Sequence, residues 1–190
     1  LGRASGTFPK IHDKFPDRFF DVGIAEANMI GVASGLANEG KIPFAASFSG
    51  FASRRCYDQI TISAAYSNNN VKIVGTAPGV TQTYNGGTHM CFQDLAIMRA
   101  MPNMHVYSPC DAYELRAVMK YMTAEKQPTY LQLIRDKMAP IFGADASFDP
   151  LKAKVLREGT DVTIVTTGFS TQLAYKALAL CDEKKISAEL

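Results

Sequence analysis

No two of the four cysteines, Cys56, Cys91, Cys110 and Cys181, stand close together in the chain. There is therefore no CxxC redox pair, and no zinc site built from sequence neighbours is expected. Four reduced thiols in a cytoplasmic protein are the simplest reading. No apolar run reaches the eighteen or so residues of a membrane span, so no membrane partner is expected. No signal peptide is visible. The chain begins at Leu1, and the natural N-terminus is expected to lie before it. Net charge is only +2, from 20 basic and 18 acidic side chains scattered without long runs. That is too little for a nucleic-acid footprint. Neither GxGxxG nor GxxxxGK[ST] occurs, so the usual phosphate loops are also missing.

What is present is an alternation of strand-like and helix-like segments. Strands are expected at Arg18–Val22, Ile42–Ser47, Val71–Thr76, Met104–Tyr107 and Thr129–Ile134. Helices are expected at Ala25–Asn38, Phe51–Tyr66, Gln93–Met101 and Ala112–Thr123. This order predicts an α/β fold, a doubly wound and mostly parallel sheet with helices on both faces. Residues 1–135 form this domain. Residues 136–153, with Pro140, Gly143 and Pro150, read as a linker. Residues 154–190 restart the rhythm with strands at Lys154–Arg157 and Val162–Thr167 and a helix at Thr171–Lys184, as the truncated start of a second α/β domain.

Four places can carry chemistry. Glu26 heads a helical stripe with Met29, Ile30, Ala33, Leu36 and Ala37, so it is expected to be buried. A buried acid is costly unless paired or protonated, and one that keeps its proton can pass it to a ring nitrogen. The plainer alternative is a first-turn Glu that favours the helix dipole. Gly31 and Gly35, with Ala27 and Ser34, form a small-residue face on the same helix. Each glycine costs on the order of 1 kcal/mol against Ala, which points to something packing tightly there. Phe48, Phe51 and Arg54 follow a strand at a spacing of three, where ligands bind in such sheets. The two rings can stack a planar group, or be ordinary core. The loop Asn85-Gly86-Gly87 delivers His89, suited to proton transfer near neutral pH. Arg135 ends a strand and can bind an anion or form a surface ion pair.

The stretches FPDRFFDVGIAEANMIGVASGLANEG, PFAASFSGFASRRCYDQI, GGTHMCFQDLAIMRAMPNMHVYSPCDAYE and PTYLQLIRD, running from Phe15 to Arg135 in order, resemble the pyrimidine-binding domain of transketolases. The segment from Lys154 resembles the start of that family's C-terminal domain, and the diphosphate-binding domain is absent. The chain thus looks like the second chain of a split transketolase. The resemblance implies thiamine diphosphate and Mg²⁺ as cofactors, the metal held mainly by a partner chain that carries the diphosphate-binding domain. It implies that Glu26 hydrogen-bonds N1′ of the aminopyrimidine, promoting loss of the thiazolium proton. It places Phe48, Phe51 and Arg54 around the pyrimidine. His89, with Asn85 nearby, meets substrate hydroxyls, Arg135 meets the substrate phosphate, and no metal is ligated by this chain.

The expected activity is transfer of a two-carbon ketol unit between ketose and aldose phosphates of the pentose phosphate pathway, by a homodimer of this chain joined to its partner. This sequence departs from the family pattern at Ala77-Pro78, where many transketolases carry His-Asp, at Asn85 in place of Asp, and at Gln93. These departures bear on sugar recognition rather than on Glu26. Two other readings stay open. One is a 1-deoxyxylulose-5-phosphate synthase-like or 2-oxoacid dehydrogenase β-like subunit. The other is a non-catalytic interaction subunit with this fold.

Overall fold

A computed structural model describes residues 9–190. The expected start of the first domain, residues 1–8, lies outside the described residues. The chain forms two compact units. One takes the chain up to Tyr107 together with Glu125–Arg135, and the other takes Ser108–Ala124 and Asp136–Leu190.

The first unit is built on a four-stranded sheet, β1 (Phe44–Phe48), β2 (Lys72–Thr76), β3 (His105–Tyr107) and β4 (Thr129–Leu133), in the order β1-β2-β4-β3. Every pairing is parallel, as the alternation of elements predicts. β2 is central and buried at all five positions, which fits its apolar run in a parallel sheet. The register sets Phe48 beside Thr76, and Thr76 beside Leu133, at the C-terminal edge. It sets Lys72 between Phe44 and Thr129 at the N-terminal edge. Gly75 is fixed by packing, because a Cβ there would overlap the Tyr130 hydroxyl. That hydroxyl instead donates to Asp94 Oδ2 at 2.8 Å.

Helices α1 (Pro9–Lys14), α2 (Glu26–Asn38), α3 (Tyr57–Gln59) and α4 (Asp94–Arg99) complete this unit. α2 buries Glu26, Ile30 and Ala33, the stripe read from the sequence. Its side chains join Ile60, Ala64, Val71, Ile73, Met98 and Tyr130 in the core. Two segments differ from expectation. Arg18–Val22 is not a strand. Pro16–Arg18 forms a 3₁₀ turn, and Asp21 Oδ1 accepts the Gly23 N–H at 2.9 Å, with Gly23 at φ +77°. Turn chemistry overrides the apolar run there. The helix expected from Phe51 starts late. The Phe51 and Ala52 N–H groups both donate to the Phe48 carbonyl, and a 3₁₀ turn at Arg54–Cys56 precedes α3. The chain then continues as a π-helix over Ile60–Tyr66.

The second unit holds α5 (Ala112–Ala124), α6 (Phe169–Glu183) and a two-stranded parallel sheet, β5 (Val162–Thr163) with β6 (Ala188–Glu189). Ala174, Leu178, Ala188 and Leu190 form its core. Lys154–Arg157 is not a strand, although the Leu156 and Arg157 N–H groups both reach the Leu190 carbonyl. Asp111 is fully buried. Its Oδ1 caps α5 by accepting the Tyr113 and Glu114 N–H groups, and its Oδ2 accepts those of Ile141 and Phe142. Gln172 donates to the carbonyls of Cys110 and Ala139, both at 2.8 Å. The proline-containing segment after Arg135 is therefore tied at its start to the N-terminus of α5, within one unit.

Candidate active site

The C-terminal edge of the parallel sheet is where side chains from several loops converge. At the end of β1 the Ser49 N–H donates to the Thr76 carbonyl at 2.7 Å, and the turn that follows brings Phe51 against Phe48. Their ring centres are 5.9 Å apart, edge to face. From the other side comes His89. Its loop passes through a 3₁₀ turn at Thr83–Asn85 and through Gly86 at φ +70°. The loop is pinned at its base by a Gly79–Cys91 bridge. The imidazole centre lies 5.6 Å from the Phe48 ring and 5.1 Å from the Phe51 ring, and Nδ1 is 2.9 Å from Thr88 Oγ1.

Ala77 completes this cluster. It is buried against the two phenylalanines and held by its N–H bond to the Leu133 carbonyl. Its φ is +53°. Left-handed backbone costs a non-glycine residue roughly 1–2 kcal/mol, and such strain persists where the surroundings impose it, often at sites of function.

Glu26 sits in the first turn of α2 and is only 4% exposed. Its two oxygens differ. Oε2 accepts a hydrogen bond from Arg55 Nη1 at 3.2 Å. Oε1 is buried and has no hydrogen-bond partner among the described residues. The Arg55 guanidinium also lies over Phe51, its carbon 3.8 Å from the ring centre. One side chain thus joins the acid to the aromatic cluster. Beneath them the Cys56 thiol is pushed up to about 12 by burial, with the Glu26 charge adding to the effect. It donates to the Phe51 carbonyl at 3.1 Å. Such a thiol is inert as a nucleophile.

The sequence-predicted residues fall as follows. Glu26, Phe48, Phe51 and His89 are brought together, with Arg55 as the link between Glu26 and Phe51. The Arg54 guanidinium lies back toward Gly50, 3.5 Å from where a Cβ would stand. Asn85 is exposed on the loop, its carbonyl accepting from Thr88 Oγ1 at 3.5 Å. Arg135 is exposed two residues beyond β4, at the same edge of the sheet. Gly31 and Gly35 are exposed, and no atom of the chain lies within 4 Å of a Cβ built on either. Among the described residues, nothing packs tightly on that face.

Sequence reasoning missed Arg55. Counting in threes from Phe48 selects Arg54, which holds only if the helix has begun. The turn after β1 and the 3₁₀ turn at Arg54–Cys56 rotate the next residue toward Glu26 instead. The Arg-Arg pair was the available signal.

The donor set suits a planar nitrogen heterocycle: two aromatic rings beside a buried carboxylate with one unused oxygen. Thiamine diphosphate carries such a ring, so these residues fit its pyrimidine. Among the described residues, no group of three His, Cys, Asp or Glu side chains is placed to hold a metal. No helix there is long and apolar enough to cross a membrane.

Residues 2–140 match the transketolase pyrimidine-binding domain. The chain is 46% identical over 187 residues to the 6-deoxy-6-sulfo-D-fructose transketolase subunit SqwH of Clostridium sp. (strain MSTE9), covering 98% of this chain and 58% of that one. It is 34% identical over 189 residues to a subunit of the apulose-4-phosphate transketolase of Phocaeicola vulgatus, covering 99% of this chain and 61% of that one. A solved structure described as a split-gene transketolase, inactive β4 tetramer, superposes with a TM-score of 0.87 at 40% identity, covering 97% of this chain and 60% of that chain. The chain therefore spans about 60% of the length of these relatives.

Proposed function

This chain belongs to the transketolase family through its pyrimidine-binding domain, and on that premise we propose that it supplies the pyrimidine half of a composite transketolase site. The reaction is transfer of a two-carbon ketol unit from a ketose to an aldose. A partner chain carries the diphosphate-binding domain and holds Mg²⁺. Thiamine diphosphate, when bound, supplies the electron sink for the two-carbon unit.

The observation that carries this reading is the orphaned, buried Oε1 of Glu26, an acid that Arg55 links to the aromatic cluster. An unpartnered buried carboxylate oxygen costs free energy unless a ligand meets it. Here it takes the ring nitrogen. Phe48 and Phe51 give the ring its apolar walls, with Arg54 at its margin. His89, at the edge of both rings, holds a substrate hydroxyl, with Asn85 on the same loop. Arg135, at the same sheet edge, takes the anionic end of the sugar. The relatives are named for a sulfonated and a phosphorylated sugar. We therefore assign this chain a sugar carrying a terminal anion, phosphate first.

The inactive β4 assembly of the structural relative supports the need for a partner chain. The open Gly31–Gly35 face of α2 is a surface for a second copy of this chain. The test is calorimetric titration of thiamine diphosphate with Mg²⁺ into the chain, with and without the diphosphate-binding chain. Tight binding only with the partner supports the composite site. Absence of binding in both cases would leave a fold that has lost its cofactor.

A further inference from the structure

Arg55 carries an inference that rests on the cofactor reading above. Its guanidinium has two partners, and both are the groups that the pyrimidine ring needs. It donates to Glu26 Oε2 at 3.2 Å, and it lies flat enough on Phe51 to bring its carbon within 3.8 Å of the ring centre. A guanidinium is planar, with N–H donors on its edge. It offers Phe51 what a planar nitrogen ring offers, a π-face, and it keeps the acid hydrogen-bonded by donating to Oε2, where a ring nitrogen would instead share a proton with the acid. Phe51 also packs against Phe48, His89 and Ala77, so Arg55 adds a further neighbour to its ring.

We infer that Arg55 is a stand-in for the pyrimidine, occupying the ring's place on Phe51 while it pairs Oε2 of Glu26, and that a ring meeting the free Oε1 displaces it from Phe51. Two further facts fit. Glu26 is 4% exposed while the Arg55 side chain is 47% exposed, so the acid is fixed and the arginine is free to swing into water. A buried carboxylate left without a partner is strongly unfavourable, so the exchange keeps Glu26 paired at each stage. Arg55 is a positioning residue in this account, holding the acid in its ring-ready orientation. It competes with the ring rather than binding it.

The sign of one measurement tests this. The probe is thiamine diphosphate with Mg²⁺, titrated into the full-length chain with its diphosphate-binding partner. The variants are Arg55→Met, which keeps apolar bulk over Phe51, and Arg55→Lys, which keeps the charge and loses the planar fork. Displacing a half-exposed ion pair and a cation–π contact costs the ring about 3- to 10-fold in affinity. Arg55→Met is therefore expected to bind the cofactor tighter by that factor and to associate faster, with Arg55→Lys between it and the parent. Unchanged or weaker binding by both variants would overturn the inference, since a ring-holding or merely structural arginine gives that result. A parent complex that binds no cofactor is a separate outcome. It would remove the cofactor reading itself, and this inference with it.

Discussion

Glu26 and Lys72 are both buried charges in the same unit, at opposite ends of its sheet, and their surroundings differ in kind. Lys72, the first residue of β2, is fully buried, and its ammonium donates to the carbonyls of Glu125 and Gln127 and to Thr129 Oγ1 at 2.7–3.3 Å. Every proton of that ammonium has an acceptor. Glu26 has one oxygen on a half-exposed arginine and the other without a partner among the described residues. A satisfied buried charge fastens loops to a sheet. An unsatisfied one, tied through Arg55 to an aromatic cluster, has the character of a binding group. The lesson is that burial alone does not identify a site, whereas a buried carboxylate with an incomplete hydrogen-bond set, linked to an aromatic cluster, points to one.

The comparison can be broken most sharply at Glu26. Glu26→Ala in the reassembled complex is expected to lower thiamine-dependent turnover by at least about 10²-fold, the scale of a lost proton-transfer group. The fold should survive, because Arg55 can turn into solvent, and circular dichroism should be unchanged. Near-normal turnover would remove the distinction between the two charges.

Lys72→Met should show the reverse. Three buried acceptors lose their donor, and stability should fall by about 2–3 kcal/mol, while turnover per folded molecule is retained. Urea unfolding of both proteins measures this. The same pair of proteins gives a pH signature. Burial lowers the Lys72 ammonium from 10.5 to about 8. Between those values the unfolded chain holds the extra proton, so the contribution of Lys72 to stability rises with pH across this window. The parent should gain on Lys72→Met by about 2 kcal/mol between pH 8 and pH 10. A flat difference would mean that the three oxygens hold the ammonium charged throughout.

The smallest effect is expected at Arg54. Its guanidinium rests toward Gly50, while Arg55 spans the Glu26–Phe51 pair. Arg54→Ala should change cofactor affinity by less than about 3-fold, on the scale of an exposed contact. A larger loss would make Arg54 the ring-closing residue and shift weight from its neighbour.

Much of this was legible in the sequence because it follows from period and spacing. The 3.6-residue stripe from Glu26 foretold a buried acid, and the alternating elements foretold a parallel sheet with Phe48 at its C-terminal edge. The aromatic pair and the glycine loop before His89 converge as that topology requires. What escaped were matters of local backbone angle. The 3₁₀ turn that brings in Arg55, the left-handed Ala77 and the Asp21–Gly23 turn in place of a strand are each set by a few hydrogen bonds that no periodicity encodes. Lys72 escaped for another reason. A lysine at a strand start reads as solvated, and only the fold brings the 125–129 loop over it. Asp111 likewise needs residues 141 and 142, thirty positions away, to complete its four hydrogen bonds.

The central claim is that the free oxygen of Glu26 meets a ring nitrogen. It is tested most directly by comparing the affinity of the complex for thiamine diphosphate with its affinity for the analogue in which C–H replaces N1′. The account predicts that the analogue binds at least about 10-fold more weakly, because Oε1 stays buried and unpaired. Equal affinities would contradict it, and Glu26 would then be a structural acid like any other at a helix start.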